Sequence, residues 1–259
     1  MPKISAVIIT KNEERNIGRC LKSLEGVPDE IIVVDSFSTD KTREISESFD
    51  DVRFVEKEWL GYSDTKNFAN SLASHPFVLT IDADEELTDE LRAEIQELKP
   101  NLCENVAYSL NRLTNYCGKW IRHSGWHPDH QLRLYPKARA RWNKRLVHES
   151  VELDKDVSVE KLAGILNHFS YYSVSEHLER AESYTDLAAR ELAKKKKKLP
   201  LLLKTTVSPL SSFIQNYFLK LGILDGYYGL IVCGIGAYVV FLKYSKALRM
   251  KAGQAINPI

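Results

Sequence analysis

Two aspartates separated by one residue, Asp82 and Asp84, come directly after the apolar run "FVLTI". Alternate residues of extended backbone point to the same side, so both carboxylates can face one cation. Hard divalent ions such as Mg²⁺ and Mn²⁺ take oxygen ligands and bridge to substrate phosphates. The pattern therefore predicts a metal site, with a solvated acidic loop as the alternative. Glu85 and Glu86 are expected in the first turn of the next helix, where acids favour the helix dipole.

Two further polar side chains in the first third of the chain suit a nucleotide-binding role. Asp35 directly follows the apolar stretch "IIVV" and is placed to accept a hydrogen bond from a base or a ribose. A simple turn cap is the alternative for this residue. Lys66, in "DTKNFA", is placed to pair with a phosphate, although a solvated helix lysine is the ordinary interpretation.

Alternating strand and helix patterns are the elements that would bring these residues together. Strand-like runs at 4–10, 30–36 and 77–84 are separated by segments of helical spacing. This alternation predicts an α/β fold, with a Rossmann-like and mostly parallel sheet flanked by helices. Ligands of such sheets bind at the carboxyl ends of the strands. The second helix is expected to be capped by Ser38 or Thr39, and the fourth by Thr88.

Composition narrows the class of protein. The chain has 259 residues and a formal net charge of +1, which argues against a general nucleic-acid-binding protein. Its four cysteines form no CxxC pair, so we expect a reducing compartment rather than a zinc site or a disulfide framework. The N-terminal stretch "MPKISAVIITKNEE" lacks the pattern of a signal peptide and reads as a first strand.

Four stretches, in order and at family-like spacing, resemble glycosyltransferase family 2, whose members have the GT-A fold and use nucleotide-sugar donors. They are "SAVIITKNEERNIGRCLKSL", "EIIVVDSFSTDKT", "KNFANSL" and "LTIDADEEL". The segments "SGWHPDHQLRLYPK", "RLVHESVE" and "FLKLGILDGYYGL" extend the resemblance over nearly the whole chain, toward bacterial lipopolysaccharide-core β-glucosyltransferases. The resemblance implies an inverting, metal-dependent transfer of a hexose, glucose from UDP-glucose, to a lipopolysaccharide core or related surface glycan.

The same resemblance implies domains and roles. The expected catalytic domain is 1–170, with a nucleotide-sugar-binding half at 1–100 and an acceptor-binding half at 101–170, before a helical appendage at 171–259. Asp84 would be the main ligand of Mg²⁺ or Mn²⁺, with Asp82 near both the metal and the ribose. The other residues expected to bind the nucleotide-sugar are Thr10, Asn12, Glu13, Asp35 and Lys66.

The catalytic base is expected in the second half, because the acceptor binds there. Asp129 in "WHPDHQ" and Glu149 in "LVHESV" are the candidates, and the resemblance favours Glu149. His148 would point away from Glu149 in a strand. The residues expected to contact the acceptor are Trp126, Asp129 and Arg133, with a buried tryptophan as the alternative for Trp126.

The C-terminal segment carries a basic run, residues 194–198, beside a strongly apolar tail. The 17 residues between Asp225 and Lys243 contain no charged residue, which is at the lower limit for a membrane span. Peripheral attachment to the inner face of the plasma membrane of a cytoplasmic protein is the first interpretation. A buried hairpin at the interface of a homo-oligomer comes second, and a true span third.

Two other functions compete with sugar transfer. A nucleotidyltransferase would share a similar nucleotide-binding sheet, but it favours a glycine-rich loop after the first strand, and "TKNEERN" has no glycine. A non-catalytic, membrane-associated glycan-binding or scaffold protein could keep a transferase fold without activity. Such a scaffold would keep its function when Asp84 and Glu149 are replaced.

Overall fold

The structure is a computed structural model that describes residues 1–143, 149–195 and 198–253. The described residues divide into two compact units. The first unit consists of residues 1–113 and 129–169, and the second of residues 114–128 and those from 170 onward. The predicted catalytic segment 1–170 therefore includes a short stretch, 114–128, that belongs to the second unit.

The strands in chain order are β1 (Ile4–Thr10), β2 (Glu30–Asp35), β3 (Val52–Glu56), β4 (Phe77–Asp82), β5 (Glu85–Leu87), β6 (Val106–Tyr116), β7 (Lys119–Trp120), β8 (Asp129–Pro136), β9 (Ala140–Trp142), β10 (Val151–Leu153) and β11 (Ser158–Tyr171). The α-helices are α1 (Ile17–Ser23), α2 (Thr42–Glu47), α3 (Tyr62–Leu72), α4 (Asp89–Leu98), α5 (Val174–Lys195), α6 (Lys198–Ile214) and α7 (Gly226–Lys251).

The main sheet is mixed. Strands β3, β2, β1 and β4 lie side by side and parallel. Strand β8 then pairs antiparallel with β4, and β6 pairs antiparallel with β8. The predicted α/β class is confirmed. Of the strands just named, however, only β1 to β4 are parallel to one another.

The parallel strands are buried on both faces, which explains their continuous apolar sequences. Ile4, Ala6 and Ile8 of β1 belong to the core shared with α1 and α4. Val7 faces the opposite way, toward Ala69 of α3. Burial of both faces leaves the strand ends as the place where polar side chains can meet a ligand.

Sheet register decides which polar side chains share a face at those ends. Thr10 is the register partner of Asp35, so their side chains project to the same face. Asp82 is the partner of Ile9 and therefore projects to the opposite face, where α3 packs. Thr10 and Asp35 thus lie on one face of the sheet edge, and Asp82 lies on the other.

The helix starts test the predicted caps. Thr88 is the N-cap of α4, and its hydroxyl accepts a hydrogen bond from the Leu91 N–H at 3.3 Å. The expected cap of α2 is wrong, because α2 begins later, with Lys41 at the N-cap position and no capping side chain. Ser38 and Thr39 instead bond to the loop after β1.

The second unit is mainly helical. Helix α7 packs on both α5 and α6, and Ala189, Leu201 and Ala247 form one buried cluster between them. The stretch Gly222–Lys251, which includes α7, is long and apolar enough to cross a membrane, with a mean hydropathy of 1.6 in its most apolar window, and 28% of that window is buried. By length and composition, this stretch therefore meets the criterion for a helix that crosses a membrane.

Candidate active site

Asp82, the last residue of β4, lies between two cations. Its Oδ1 is 2.9 Å from Lys66 Nζ, and its Oδ2 accepts a hydrogen bond from Arg133 Nη2 at 2.6 Å. Burial by itself would raise the pKa of this carboxyl, but the charges of Arg133 and Lys66 outweigh it and hold the pKa well below its usual value. Asp82 is therefore ionised, and each of its oxygens is already engaged.

Asp84, the second aspartate of the motif, faces His168 of β11. The Oδ2 atom of Asp84 lies 3.3 Å from His168 Nε2, and both side chains are partly exposed, by 16% and 14%. The backbone N–H of Phe169 donates to the Asp84 carbonyl at 2.8 Å. A carboxylate and an imidazole thus meet at an accessible edge. Sequence reasoning left His168 without a role, because only the strand pairing reveals this neighbour.

The position of Glu85 differs from the one predicted. Glu85 and Glu86 do not lie in the first turn of a helix; they belong to β5, which pairs antiparallel with β11. The acids of the first turn of α4 are Asp89 and Glu90. The side chain of Glu85 is also completely buried, unlike the acids at the start of a surface helix.

The buried Glu85 carboxylate holds the aspartate turn in place. Its Oε2 accepts a hydrogen bond from the backbone N–H of Asp82 at 3.0 Å. Its Oε1 forms ion pairs with Arg133 and, at 3.3 Å, with Arg112. Arg112 also contacts Asp129 at 2.8 Å. Because Arg133 contacts both Glu85 and Asp82, the whole set is one connected charge network.

Lys66 is held from two sides. Only 4% of its side chain is exposed, and its Nζ lies 4.4 Å from the centroid of the Trp142 ring, in a cation–π contact. The side-chain amide of Asn67 fixes Trp142 by two hydrogen bonds to the Trp142 backbone, at 2.9 and 3.0 Å. The indole N–H of Trp142 donates to the Tyr135 hydroxyl at 3.2 Å. Lys66 is thus a positioned cation, which rules out the solvated helix lysine.

The loops after β1 and β2 are joined by a hydrogen-bond chain. The backbone N–H of Asn12 donates to Ser38 Oγ at 2.7 Å, and Ser38 in turn donates to Asp35 from both its hydroxyl and its N–H. Asn12 adopts a left-handed backbone, with φ of 54°, and its Oδ1 accepts from the Thr39 N–H at 2.8 Å. Asp35 therefore does cap a turn, and this turn fixes the loop predicted to wrap a nucleotide.

Two more residues predicted for the nucleotide lie beside that turn. The N–H of Glu13 donates to Thr42 Oγ1 at 2.8 Å, and its carboxylate accepts from Asn16 at 2.7 Å. Thr10 Oγ1 is buried without a hydrogen-bond partner in the described part of the chain. An unpaired buried hydroxyl costs free energy, so Thr10 is a polar group that the described fold leaves unsatisfied.

Glu149 begins the described stretch that follows residue 143. It is half-buried and lies just before β10, not in a strand. Asn143 and Ser150, on either side of residues 144–148, are joined directly: the Asn143 N–H donates to the Ser150 carbonyl at 3.0 Å, and Asn143 Nδ2 donates to Ser150 Oγ at 2.7 Å. His148 lies outside the described residues.

The three residues expected to contact the acceptor have different surroundings. Asp129 is about one-third exposed and pairs with Arg112. Arg133 is 3% exposed and is bound by Asp82 and Glu85, so its position does not support contact with an acceptor. Trp126 belongs to the second unit, where its ring lies 5.9 Å from that of Tyr116 in an aromatic cluster.

The sequence shows what kind of enzyme carries this arrangement. Residues 5–152, more than half of the chain, match the family model described as glycosyl transferase family 2. The chain belongs to glycosyl transferase family 2. An uncharacterized glycosyltransferase of Rickettsia typhi is 34% identical, covering 95% of this chain and 87% of that protein. The lipopolysaccharide core biosynthesis glycosyltransferase LpsC of Rhizobium meliloti is 31% identical, covering 98% and 96%.

Family membership establishes the chain as a glycosyltransferase and confirms the expected family and GT-A fold. Among solved structures, that of S. aureus TarS 1–349 aligns with 98% of this chain and 93% of that chain, at 15% identity and a TM-score of 0.46. The assignment of this family 2 enzyme rests on the family model and on its full-length relatives.

Proposed function

We propose that this family 2 enzyme is an inverting, metal-dependent transferase that moves glucose from UDP-glucose to a lipopolysaccharide core or a related surface glycan. The pairing of Asp84 with His168, beside the ionised Asp82 that Lys66 and Arg133 hold, is the observation that carries the proposal. The name of the LpsC relative supports the class of acceptor, since the similarity to it extends over 98% of this chain.

The side chains that meet at Asp84 have the chemistry of ligands for a divalent cation. Among the described residues no group of three or more His, Cys, Asp or Glu side chains gathers as a metal site. Asp84 and His168 would instead supply two ligands, and Mg²⁺ or Mn²⁺ commonly completes its shell with water and substrate phosphates. When bound, such an ion offsets the charge that develops on the departing diphosphate. Asp82, whose two oxygens already contact cations, is better assigned to the sugar nucleotide than to the metal.

The remaining side chains bind and orient. Asp35 and Thr10 share one face of the strand edge, where Asp35 can accept from the uracil and the unpaired Thr10 hydroxyl can bond to the nucleotide. Asn12 and Glu13 hold the surrounding loop through their backbone N–H groups. Lys66 lies beside Asp82 and keeps positive charge near the donor phosphates.

Glu149 is proposed as the base that takes the proton of the acceptor hydroxyl as that oxygen attacks the anomeric carbon. Glu149 is partly exposed and directly precedes Ser150, which Asn143 holds by hydrogen bonds. Trp126 and Asp129 remain predicted acceptor contacts. A glycolipid acceptor made at the inner leaflet accounts for the proposed peripheral position of the enzyme on the cytoplasmic side of the membrane.

A single pair of variants tests the base. Loss of a general base costs about 10²- to 10⁴-fold in rate, so Glu149→Gln should lower transfer by that factor while UDP-glucose still binds. Glu152→Gln is the matched control, because Glu152 is three residues away, exposed, and pairs only loosely with Arg141, at 3.7 Å. Equal rates for Glu149→Gln and Glu152→Gln would remove Glu149 from the mechanism.

A further inference from the structure

Helix α6 of the second unit leaves one stripe of large apolar side chains in solvent. Leu203, Val207, Leu210 and Ile214 recur at spacings of four, three and four residues, and they are 44–63% exposed. This spacing puts all four on the same side of the helix. Soluble proteins seldom leave such a stripe uncovered.

Helix α7 carries a second stripe. Tyr227, Leu230, Tyr238 and Phe241 also recur at helical spacing, and they are 42–72% exposed. The position between Leu230 and Tyr238 that completes the stripe is Gly234, where an added Cβ would meet no neighbouring atom within 4 Å, so the position lies open. Both helices therefore present apolar faces.

The two stripes border one groove. A depression of about 550 Å³ between α6 and α7 is lined by Leu210 and Phe213 on one side and by Tyr238 and Phe241 on the other. Thr205, at one end, turns its hydroxyl to the backbone carbonyl of Leu201 at 2.8 Å. Leu210 of the first stripe and Tyr238 and Phe241 of the second thus line the groove, and we call the groove and the two stripes together the apolar face.

The segment that contains α6 and α7 carries an excess of positive charge. Residues 198–253 contain seven Lys or Arg and a single acidic residue, Asp225, which gives a net charge of +6. Asp225 is only 5% exposed and accepts hydrogen bonds from the backbone N–H groups of Arg122 and His123. The rest of the chain has 29 Lys or Arg against 34 Asp or Glu, so the positive charge is concentrated here.

Two lysines crowd the same ring near the Thr205 end of the groove. Lys204 Nζ and Lys243 Nζ lie 5.9 and 5.4 Å from the centroid of Tyr244. Burial, and then the charge of Lys204, lowers the pKa of Lys243. A nearby anion would offset this effect of Lys204 on Lys243.

We propose that the apolar face docks on an anionic phospholipid leaflet, with its side chains at the acyl boundary and with Lys204 and Lys243 on headgroup phosphates. An apolar surface carried by two helices with an excess of positive charge fits this partner. A second copy of this chain fits poorly, because the same face would bring two segments of net charge +6 together. The docking is independent of the sugar donor.

The end of α7 argues for lying on the bilayer over spanning it. Lys246 is buried there, with its Nζ 2.5 Å from Asp186 Oδ1 and 3.0 Å from Thr185 Oγ1, both on α5. Helix α5 carries charged residues along its whole length. If α7 crossed the hydrocarbon core, this ion pair and its charged neighbour would be carried toward lipid.

Vesicle co-sedimentation of the full chain tests the docking. The protein should sediment with vesicles of phosphatidylglycerol and phosphatidylethanolamine, and far less with pure phosphatidylcholine. Val207→Glu should reduce the binding at least tenfold, whereas Val159→Glu should not; both valines are exposed, by 63% and 53%, and Val159 lies in β11 of the other unit. The double variant Lys204→Gln with Lys243→Gln should weaken binding about 30-fold, at about fivefold for each lysine on an anionic surface.

Controls keep the outcomes distinct. Lys155→Gln with Lys161→Gln removes the same charge from exposed positions of the first unit and should leave binding unchanged. No sedimentation with anionic vesicles would overturn the proposal, as would equal losses in Val207→Glu and Val159→Glu. A dimer in light scattering that Val207→Glu dissociates would assign the face to a second copy. Protein that stays in vesicles after alkaline extraction would show a span. The vesicle experiments contain no sugar donor. Their results would therefore stand even if the protein showed no transferase activity.

Discussion

Removing the buried carboxylate of Glu85 should damage both the stability and the activity of this family 2 glycosyltransferase. Glu85→Ala leaves Arg133 and Arg112 without their shared partner and takes away the acceptor for the Asp82 N–H. Deleting one partner of a buried ion pair typically costs about 3–5 kcal/mol. At about 2–4 °C per kcal/mol for a chain somewhat smaller than this one, the melting temperature should fall by roughly 6–20 °C.

Activity should fall as well, because Glu85 positions Asp82 and Asp84 without contacting substrate. A displacement of about 1 Å at the aspartate turn is enough to lower the rate about 100-fold. Glu85→Gln should recover part of this loss, since an amide can still accept from the Asp82 N–H. Urea denaturation measures the stability, and initial rates with UDP-glucose measure kcat/KM at a temperature where each variant is folded.

Glu86→Ala provides the matched control. Glu86 is the next residue of β5, but its carboxylate is partly exposed and accepts a single side-chain hydrogen bond from Asn167, at 3.1 Å. We expect a cost near 1 kcal/mol and little change in rate. If Glu85→Ala and Glu86→Ala proved equally stable and equally active, the buried network would have no positioning role.

Three further predictions concern the pH dependence of stability and the packing around two glycines. The pKa of Asp82 is held low in the folded protein, so the stability that Asp82→Asn forfeits at pH 7 should begin to shrink below about pH 4 and disappear only as the pH falls through the lower folded-state pKa, as followed by urea denaturation. Burial, and then Arg180, lowers the pKa of His177 from 6.5 to about 4, so the wild-type protein should lose roughly 3 kcal/mol between those pH values, and His177→Phe much less. Gly164→Ala should lower the melting temperature, because a Cβ would come within 2.5 Å of Leu91 Cα, whereas Gly234→Ala should not.

The sequence was most informative where local pattern and burial agree. The strands ending at Thr10, Asp35 and Asp82 are predictable, because a strand covered on both faces must be continuously apolar and must stop where polar side chains begin. Thr88 is predictable as a cap because its hydroxyl acts within the same turn.

The errors came where distant contacts override local preference. An acid before a helix normally favours the helix dipole, yet Glu85 pairs with arginines 27 and 48 residues away and its backbone joins β11. Ser38 has the chemistry of a helix cap, but Asp35 and Asn12 use its hydroxyl instead. His168 could be found only from the pairing that sets it opposite Glu85.

Donor binding measured by calorimetry tests the central claim most directly, that Asp84 holds a metal ion through which the nucleotide-sugar is bound. UDP-glucose should bind in the presence of Mn²⁺, bind much more weakly in excess chelator, and fail to respond to Mn²⁺ in Asp84→Asn. Asp89→Asn should behave as wild type, because Asp89 is 92% exposed at the start of α4. Binding of UDP-glucose that is equally strong with and without Mn²⁺, or unchanged in Asp84→Asn, would contradict the account.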